Sequence, residues 1–229
     1  MMMNISPRLP GENNKDYSYR VIKANIMSLN LRPGQAISEI DLAAALEISR
    51  TPVREVLAML KEEHLVEVYP QVGTYVSKIN LQLIEEAAFM RFTLEKEVLK
   101  LACASFPAEE LLELKKNAAL QKLLLGQQGQ APEFHKLDTE FHHIIFRGNK
   151  KENVWTSITR LSTHYNRIRL LSEMERSYDD TIRQHLRIVE IIENKEMENA
   201  ERMYQEHILW PMKNWEALYH RDSPYASYF

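Results

Sequence analysis

Asp138 and His142 are four residues apart, a spacing that on a helix projects both side chains from one face, one turn apart. His185 sits in Gln184-His185-Leu186 and His207 in Glu206-His207-Ile208, each inside a separate run of helical periodicity. Three imidazoles and one carboxylate drawn from three helices make a donor set for one divalent cation. Imidazole nitrogen and carboxylate oxygen suit Zn, Ni, Mn or Fe, and the set alone does not choose among them. Around an octahedral ion, four protein ligands leave two positions for water or a small bidentate anion. Spacing also allows a plainer explanation, because eight histidines in a helical chain produce such pairs by chance. His135 is likewise one turn from Asp138, His143 points elsewhere, and His164 and His220 read as surface residues.

A second chemistry lies between Ser49 and Val76. Val53, Val56, Leu57 and Leu60 recur on one helical face, while Arg50, Arg54 and Ala58 fall on another. Thr51 is placed to cap that helix, and Pro52 fits its first helical position, where no backbone N–H is needed. A helix that buries one face and presents two arginines near its N-terminus can enter a DNA major groove, where arginine grips guanine O6 and N7 with two hydrogen bonds.

These groups need elements to hold them. Tyr19, Ile22, Ile26 and Leu29 predict a first helix over Ser18–Leu29, ended by Arg32-Pro33-Gly34. Ser38 opens a second helix, with Asp41 three residues on in an acidic form of the capping box. The arginine-bearing helix follows, giving a helix-turn-helix. Leu65–Val68 and Thr74–Val76 read as a hairpin closed by Pro70 and Gly73, a wing. The rest is helical: about Leu81–Ser105, Glu109–Leu125, Pro132–Arg147, Glu152–Glu173, Asp179–Glu193 and Glu196–Tyr219. Short links among these predict an antiparallel bundle. The expected fold is mainly α: an N-terminal winged helix-turn-helix and a C-terminal antiparallel all-helical bundle of six helices. The expected divisions are a flexible tail over 1–16, the winged head over 17–79, the helical domain over 80–221 and a C-terminal tail over 222–229.

Composition bounds the reading. The chain has 229 residues, 45 % hydrophobic and 27 % charged, enough for two modest domains. One cysteine, Cys103, excludes a disulfide framework within the chain and reads as a small buried hydrophobe in a reducing, cytoplasmic compartment. No apolar run is long enough to span a membrane, and no signal peptide is visible. Residues 1–79 carry nine basic and nine acidic side chains, so bulk charge gives no support to DNA binding. That reading rests on where Arg50 and Arg54 sit.

Leu31-Arg32-Pro33-Gly34-Gln35, Ile37-Ser38-Glu39, Asp41-Leu42-Ala43 and Ile48-Ser49-Arg50-Thr51-Pro52-Val53-Arg54-Glu55-Val56-Leu57 resemble the winged helix of GntR-family bacterial transcription regulators. The resemblance implies DNA contacts from Ser49, Arg50, Thr51 and Arg54, with Gly73 at the wing tip. Three positions depart from the family pattern. Ile40 stands where many members have a phosphate-gripping arginine, and Glu47 and His64 stand where glycine is usual, which calls for either left-handed backbone or a rearranged turn there. Further on, Arg91-Phe92-Thr93-Leu94-Glu95, the run Asp138-Thr139-Glu140-Phe141-His142 leading to Gly148-Asn149, and His185 and His207 resemble the FCD ligand-binding domain of the FadR-type branch. That likeness implies a bundle of six or seven helices, dimerisation and a metal held by Asp138, His142, His185 and His207. The effector it suggests is a small carboxylate gripped by the metal and an arginine, with Arg91 and Arg169 as candidates, Arg167 behind them, and an Arg91–Glu95 pair as the alternative.

The function expected is a DNA-binding transcriptional regulator, a repressor acting as a homodimer on a palindromic duplex operator, and not an enzyme. A metal-dependent hydrolase or lyase built on the Asp/His3 ion is the alternative, and it leaves the arginine helix unexplained. In a third reading the metal is only a folding staple.

Overall fold

The computed structural model describes residues 3–127 and 129–229. The chain forms two compact units. One, the head, takes in the residues up to Leu81 together with Leu218–Phe229; the other is Gln82–Ala217. Residues 218–221, expected with the helical domain, therefore group with the head, as does the tail expected over 222–229.

In the head, α1 (Asn14–Met27) begins four residues before the expected Ser18. Asn13 caps it, its side chain accepting from the Asp16 amide at 2.9 Å. Residues 14–16 of the expected tail belong to this helix. The stretch before it is tied down: Asn4 N–H donates to Asn25 Oδ1 at 2.7 Å, and Arg20 pairs with Glu12 at 2.7 Å. α2 (Glu39–Ala45) opens at Ser38, whose hydroxyl accepts from the Ile40 amide at 3.2 Å. α3 (Arg50–Glu62) begins after Ser49, so Thr51 lies inside the first turn and does not cap it, and Pro52 is the third residue of the helix, not the first. β2 (Val66–Tyr69) and β3 (Gly73–Val76) form the wing. A third strand, β1 (Ala36–Ile37), joins the far edge of β3 with Ala36 opposite Tyr75. Ile22, Leu42, Val53, Val56 and Leu60 fill the core under these elements.

Of the two alternatives at the glycine departures, both residues take the left-handed conformation and neither turn is rearranged. Glu47 has φ 55° and His64 φ 57°. After α2, Ile48 N–H reaches the Ala43 carbonyl at 3.1 Å and Glu47 N–H the Ala44 carbonyl at 3.2 Å, a Schellman stop. After α3, Leu65 N–H reaches Leu60 at 2.9 Å and His64 N–H reaches Lys61 at 3.0 Å, the same stop. A side chain in this conformation costs about 1 kcal/mol or more. Glu47→Gly should therefore raise the melting transition of the head by several degrees. Glu47→Ala, which keeps the strained backbone but lacks the carboxylate, should not. Equal shifts in the two variants, read by calorimetry, would assign the effect to the Glu47 side chain instead.

The other unit is a helical bundle: α4 (Leu81–Ala104), α5 (Ala108–Lys122), α6 (Ala131–Gly148), α7 (Glu152–Leu161), α8 (Thr163–Glu175), α9 (Asp179–Asn194) and α10 (Ala200–Tyr204). The single helix expected over Glu152–Glu173 is two, broken at Ser162. The last helix, expected unbroken over Glu196–Tyr219, continues beyond α10 as a π-helical turn over Gln205–Leu209 and a 3-10 turn over Pro211–Asn214. Among the described residues, no helix is long and apolar enough to cross a membrane. Cys103 is buried, and burial pushes its thiol up to about 11, in keeping with a packing role.

Candidate metal centre and nucleic-acid interface

α6 carries Asp138 and His142 on its buried stripe with Phe134, Phe141 and Ile145. α9 brings His185 on a stripe with Ile182, Ile188, Val189 and Ile192. The turn after α10 brings His207. All four side chains are buried, and one donor atom from each lies within 4.8 Å of the others. His207 Nε2 is 3.1 Å from His142 Nε2 and 3.3 Å from His185 Nε2. Asp138 Oδ1 is 3.5 Å from His185 Nε2 and 4.0 Å from His142 Nε2. Ligands about 2.1 Å from one ion stand roughly 3.0–3.4 Å apart at octahedral or tetrahedral angles, the range in which His207 Nε2 stands from each of the other two.

The surrounding side chains decide where the protons are. Gln121 Nε2 donates to Asn117 Oδ1 at 2.8 Å, so its oxygen faces His185 Nδ1 at 2.6 Å. Gln184 Oε1 faces His207 Nδ1 at 2.9 Å, and Glu95 Oε2 lies 2.7 Å from His142 Nδ1. His185 and His207 each meet an amide oxygen at Nδ1, which places the proton there and leaves their Nε2 bare and pointing inward; at His142 the Glu95 carboxylate stands close to Nδ1 without hydrogen-bond alignment. The three Nε2 atoms converge, and buried Asp138 Oδ1 has no hydrogen-bond donor. A cation satisfies all four atoms at once; hydrogen bonds among them cannot. The donor set fits a divalent metal, and the outer acceptors fix the ring orientations as metal-bound histidines require.

Electrostatics agree. Burial lowers His185 to about 3 and His207 well below the usual imidazole range, keeping both in the neutral form that ligates. Burial alone would raise the Glu95 carboxyl, but Arg91 and His142 outweigh it and hold Glu95 at about 2. Burial likewise opposes ionisation of Asp138, and the surrounding cations, Arg169 foremost, more than offset it.

A cavity of about 270 Å³ opens beside the cluster, lined by Asp138, His207, Arg169, Tyr165, Trp210 and Trp215 among others. Arg169 Nη2 pairs with Asp138 Oδ2 at 2.6 Å and its Nε with Glu173 at 3.2 Å. Arg91 is not among the residues lining this cavity. It pairs with Glu95 at 2.6 Å, buried, under the Tyr165 ring. Arg167 is also buried, with Nη2 3.0 Å from His164 Nδ1, so His164, expected at the surface, is interior. Gln121 and Gln184 carried no sequence signal beyond the position of Gln184 next to His185, and Gln184 serves the histidine of a different element.

In the head, Ser49, Arg50, Thr51, Arg54 and Gly73 are all exposed. The first three stand at the start of α3, with Arg54 one turn on. Gly73 opens β3 with φ 152°, where a Cβ would press the Tyr75 ring at 3.3 Å. Sequence reasoning missed Glu39, whose carboxylate accepts from Arg54 at 3.0 Å and from Arg50 at 3.3 Å. Arg54's hydrogen bond is the main cause that lowers the Glu39 carboxyl. One carboxylate thus holds two guanidinium groups at a defined spread. Glu39→Gln should raise affinity for random duplex a fewfold and shrink the preference for a specific site, since a charge repelling phosphate is lost and the arginines are freed. Fluorescence anisotropy on specific and random duplexes would show this; an unchanged ratio would rule the positioning role out.

Comparison with known proteins gives the following. Residues 86–209 match the FCD domain family, and residues 18–76 match the family of bacterial regulatory proteins, gntR family. An HTH-type transcriptional regulator in an unstable DNA locus of Streptomyces ambofaciens is 35 % identical over 162 residues, covering 70 % of this chain and 67 % of that protein. The HTH-type transcriptional repressor RspR of Escherichia coli K12 is 27 % identical over 191 residues, 83 % of each chain. Among solved structures, E. coli McbR/YncC superposes with a TM-score of 0.77 at 17 % identity, over 91 % of this chain and 100 % of that one. At that identity it shows the shared fold.

Proposed function

Because the chain belongs to the GntR family of bacterial regulatory proteins and carries an FCD domain, we propose that it is a metal-dependent, effector-responsive repressor acting as a homodimer on a two-fold symmetric operator. That it is a transcriptional regulator and not an enzyme follows from its families and relatives, and the hydrolase or lyase alternative is set aside on that ground. Repression, the metal, the effector and the dimer belong to the proposal, as does a place in the cytoplasm, where operator DNA is.

The observation that carries the effector reading is the convergence of three Nε2 atoms and Asp138 Oδ1 next to a cavity with Arg169 in its wall. Asp138, His142, His185 and His207 would hold the divalent ion, which supplies a Lewis-acidic position for one carboxylate oxygen. Arg169 offers charge for the second oxygen, and Tyr165, Trp210 and Trp215 line the apolar part of the cavity. Arg91 pairs with Glu95 beside His142 and borders a small pocket with Asp138 and Arg169, apart from the larger cavity, so Arg169 is the stronger candidate for the effector. Arg50 and Arg54 read base edges in the major groove, Ser49 and Thr51 meet the adjoining backbone, and the Gly73 wing runs along the groove. An effector changes DNA affinity only by favouring one arrangement of the two heads over another.

The test is selection of duplexes from a random pool by the full-length protein, followed by titration of the winner with the metal-loaded and chelator-stripped forms and with a panel of small carboxylates. A palindromic winner whose affinity shifts with metal and with one class of carboxylate is the expected result. Enrichment of no sequence would sink the operator reading, and a palindrome indifferent to metal and carboxylates would sink the effector reading alone.

A further inference from the structure

The last helical run changes its winding at the residue that carries a ligand. α10 ends at Tyr204 and passes into the π-helical turn Gln205–Leu209, in which Trp210 N–H reaches back five residues to the Gln205 carbonyl at 3.2 Å. The 3-10 turn Pro211–Asn214 follows. Pro211 supplies the cause. It has no N–H, and in an α-helix its ring collides with the carbonyl four residues earlier. Four residues before Pro211 is His207. The ordinary α-helical path is therefore barred at the ligand itself, and the chain takes the wider turn that is uncommon in helices and concentrated where side chains need special placement.

Placement at this position is demanding. The His207 ring must set Nε2 at 3.1 Å from His142 and 3.3 Å from His185 while Nδ1 stays 2.9 Å from Gln184 Oε1. His142 and His185 project from regular helices, and only His207 comes from a turn of altered winding. A shift of about 1 Å is enough to take a ligand out of a centre of this kind. We propose that Pro211 is a positioning residue for the metal centre: by closing the α-helical path at His207, it holds that ligand in the π-turn that aims its Nε2 at His142 and His185. The inference rests on the metal-centre reading above and adds to it the device that sets one ligand.

A proline that merely ended a helix or shaped the cavity wall would behave differently from one that holds a ligand against the preference of the backbone. Pro211→Ala restores the missing N–H and removes the clash, so the turn can relax toward α-helix. In the metal-free protein this relieves the backbone and also moves one bare imidazole away from two others. In the metal-bound protein it withdraws a ligand. The two forms should therefore respond with opposite signs.

The experiment uses the full-length protein as wild type, Pro211→Ala and His207→Ala. Zn2+ affinity is measured by competition with a chromophoric chelator, ligation by the visible spectrum of the Co2+-loaded protein, and stability by the melting temperature after chelator treatment. In Pro211→Ala, Zn2+ affinity should fall by roughly tenfold or more. Its Co2+ spectrum should move toward that of His207→Ala, and its metal-free melting temperature should equal or exceed that of wild type. Zn2+ affinity and Co2+ spectrum unchanged from wild type would overturn the proposal. So would a lower metal-free melting temperature, because the proline would then serve the fold and not the ligand. Failure of wild type itself to take up Zn2+ or Co2+ would remove the metal-centre reading and this one with it, an outcome separable from failure in the variant alone.

Discussion

Purified without chelators, the wild-type protein should carry close to one equivalent of divalent metal per chain, and His185→Ala close to none. His185 is fully buried, its Nε2 lies 3.3 Å from His207 and 3.5 Å from Asp138, and the Phe141 ring stacks on it at 4.2 Å. No neighbouring donor can swing in to replace it. The change also removes the partner of Gln121 Oε1, leaving a buried amide oxygen to find another. Metal that binds only the folded bundle stabilises it by about 4 kcal/mol at a thousand times its dissociation constant. For a unit of this size that is on the order of 10 °C in melting temperature. Chelation should thus lower the bundle's transition by about that amount in wild type and leave His185→Ala unmoved. Elemental analysis and calorimetry with and without chelator read both effects. Metal absent from both proteins would dismiss the centre while leaving the head's arginines untouched as a DNA-reading device.

The second large effect belongs to Arg50. Arg50→Ala should cost about 1–3 kcal/mol at each half-site, the worth of one bidentate arginine–guanine contact. On a symmetric operator the total is about 2–6 kcal/mol, roughly one and a half to four decades in affinity. The loss should be selective: operators altered at the contacted base pair bind the variant and wild type alike, and the salt dependence barely changes. A residue gripping phosphate gives the opposite pattern, a uniform loss across sequences with a shallower salt slope. Binding of the wild-type operator by Arg50→Ala at full strength would refute the major-groove assignment of α3.

How much of this could be read without coordinates varies by kind of information. The face of α3 was legible because four apolar positions at helical spacing determine which side is buried and so which side Arg50 and Arg54 occupy. The left-handed residues Glu47 and His64 were half legible: the family resemblance put glycine at both positions, but a side chain there could equally have meant a rearranged turn. The metal set was half legible. Asp138 and His142 share a face by local geometry, but what joined His185 and His207 to them was a family pattern and not any rule of spacing. Nothing local announces that Gln121 fixes the tautomer of His185, sixty-four positions away, or that Gln184 serves His207 rather than its neighbour. The short strand β1 and the break at Ser162 were missed because two residues of strand and one residue of interruption leave no periodic trace. Glu39 was overlooked as a helix-start acid, a role it also fills, since nothing in its local pattern shows that it spans the gap to α3.

The membership of Leu218–Phe229 in the head bears on how the protein is made. Ile79 N–H donates to the Tyr228 carbonyl at 2.7 Å and Lys78 Nζ to the Phe229 carbonyl at 2.9 Å, while the Tyr219 and Phe229 rings meet edge to face at 5.6 Å. A ribosome delivers the first eighty or so residues early, then the whole helical bundle, and only afterwards the strand of chain that completes the head. A nascent head can build its helices and wing at once, but the buried Ile79 amide waits for an acceptor until synthesis has passed the bundle. The head is thus begun first and completed last, and a message truncated anywhere in the bundle yields a head lacking these contacts.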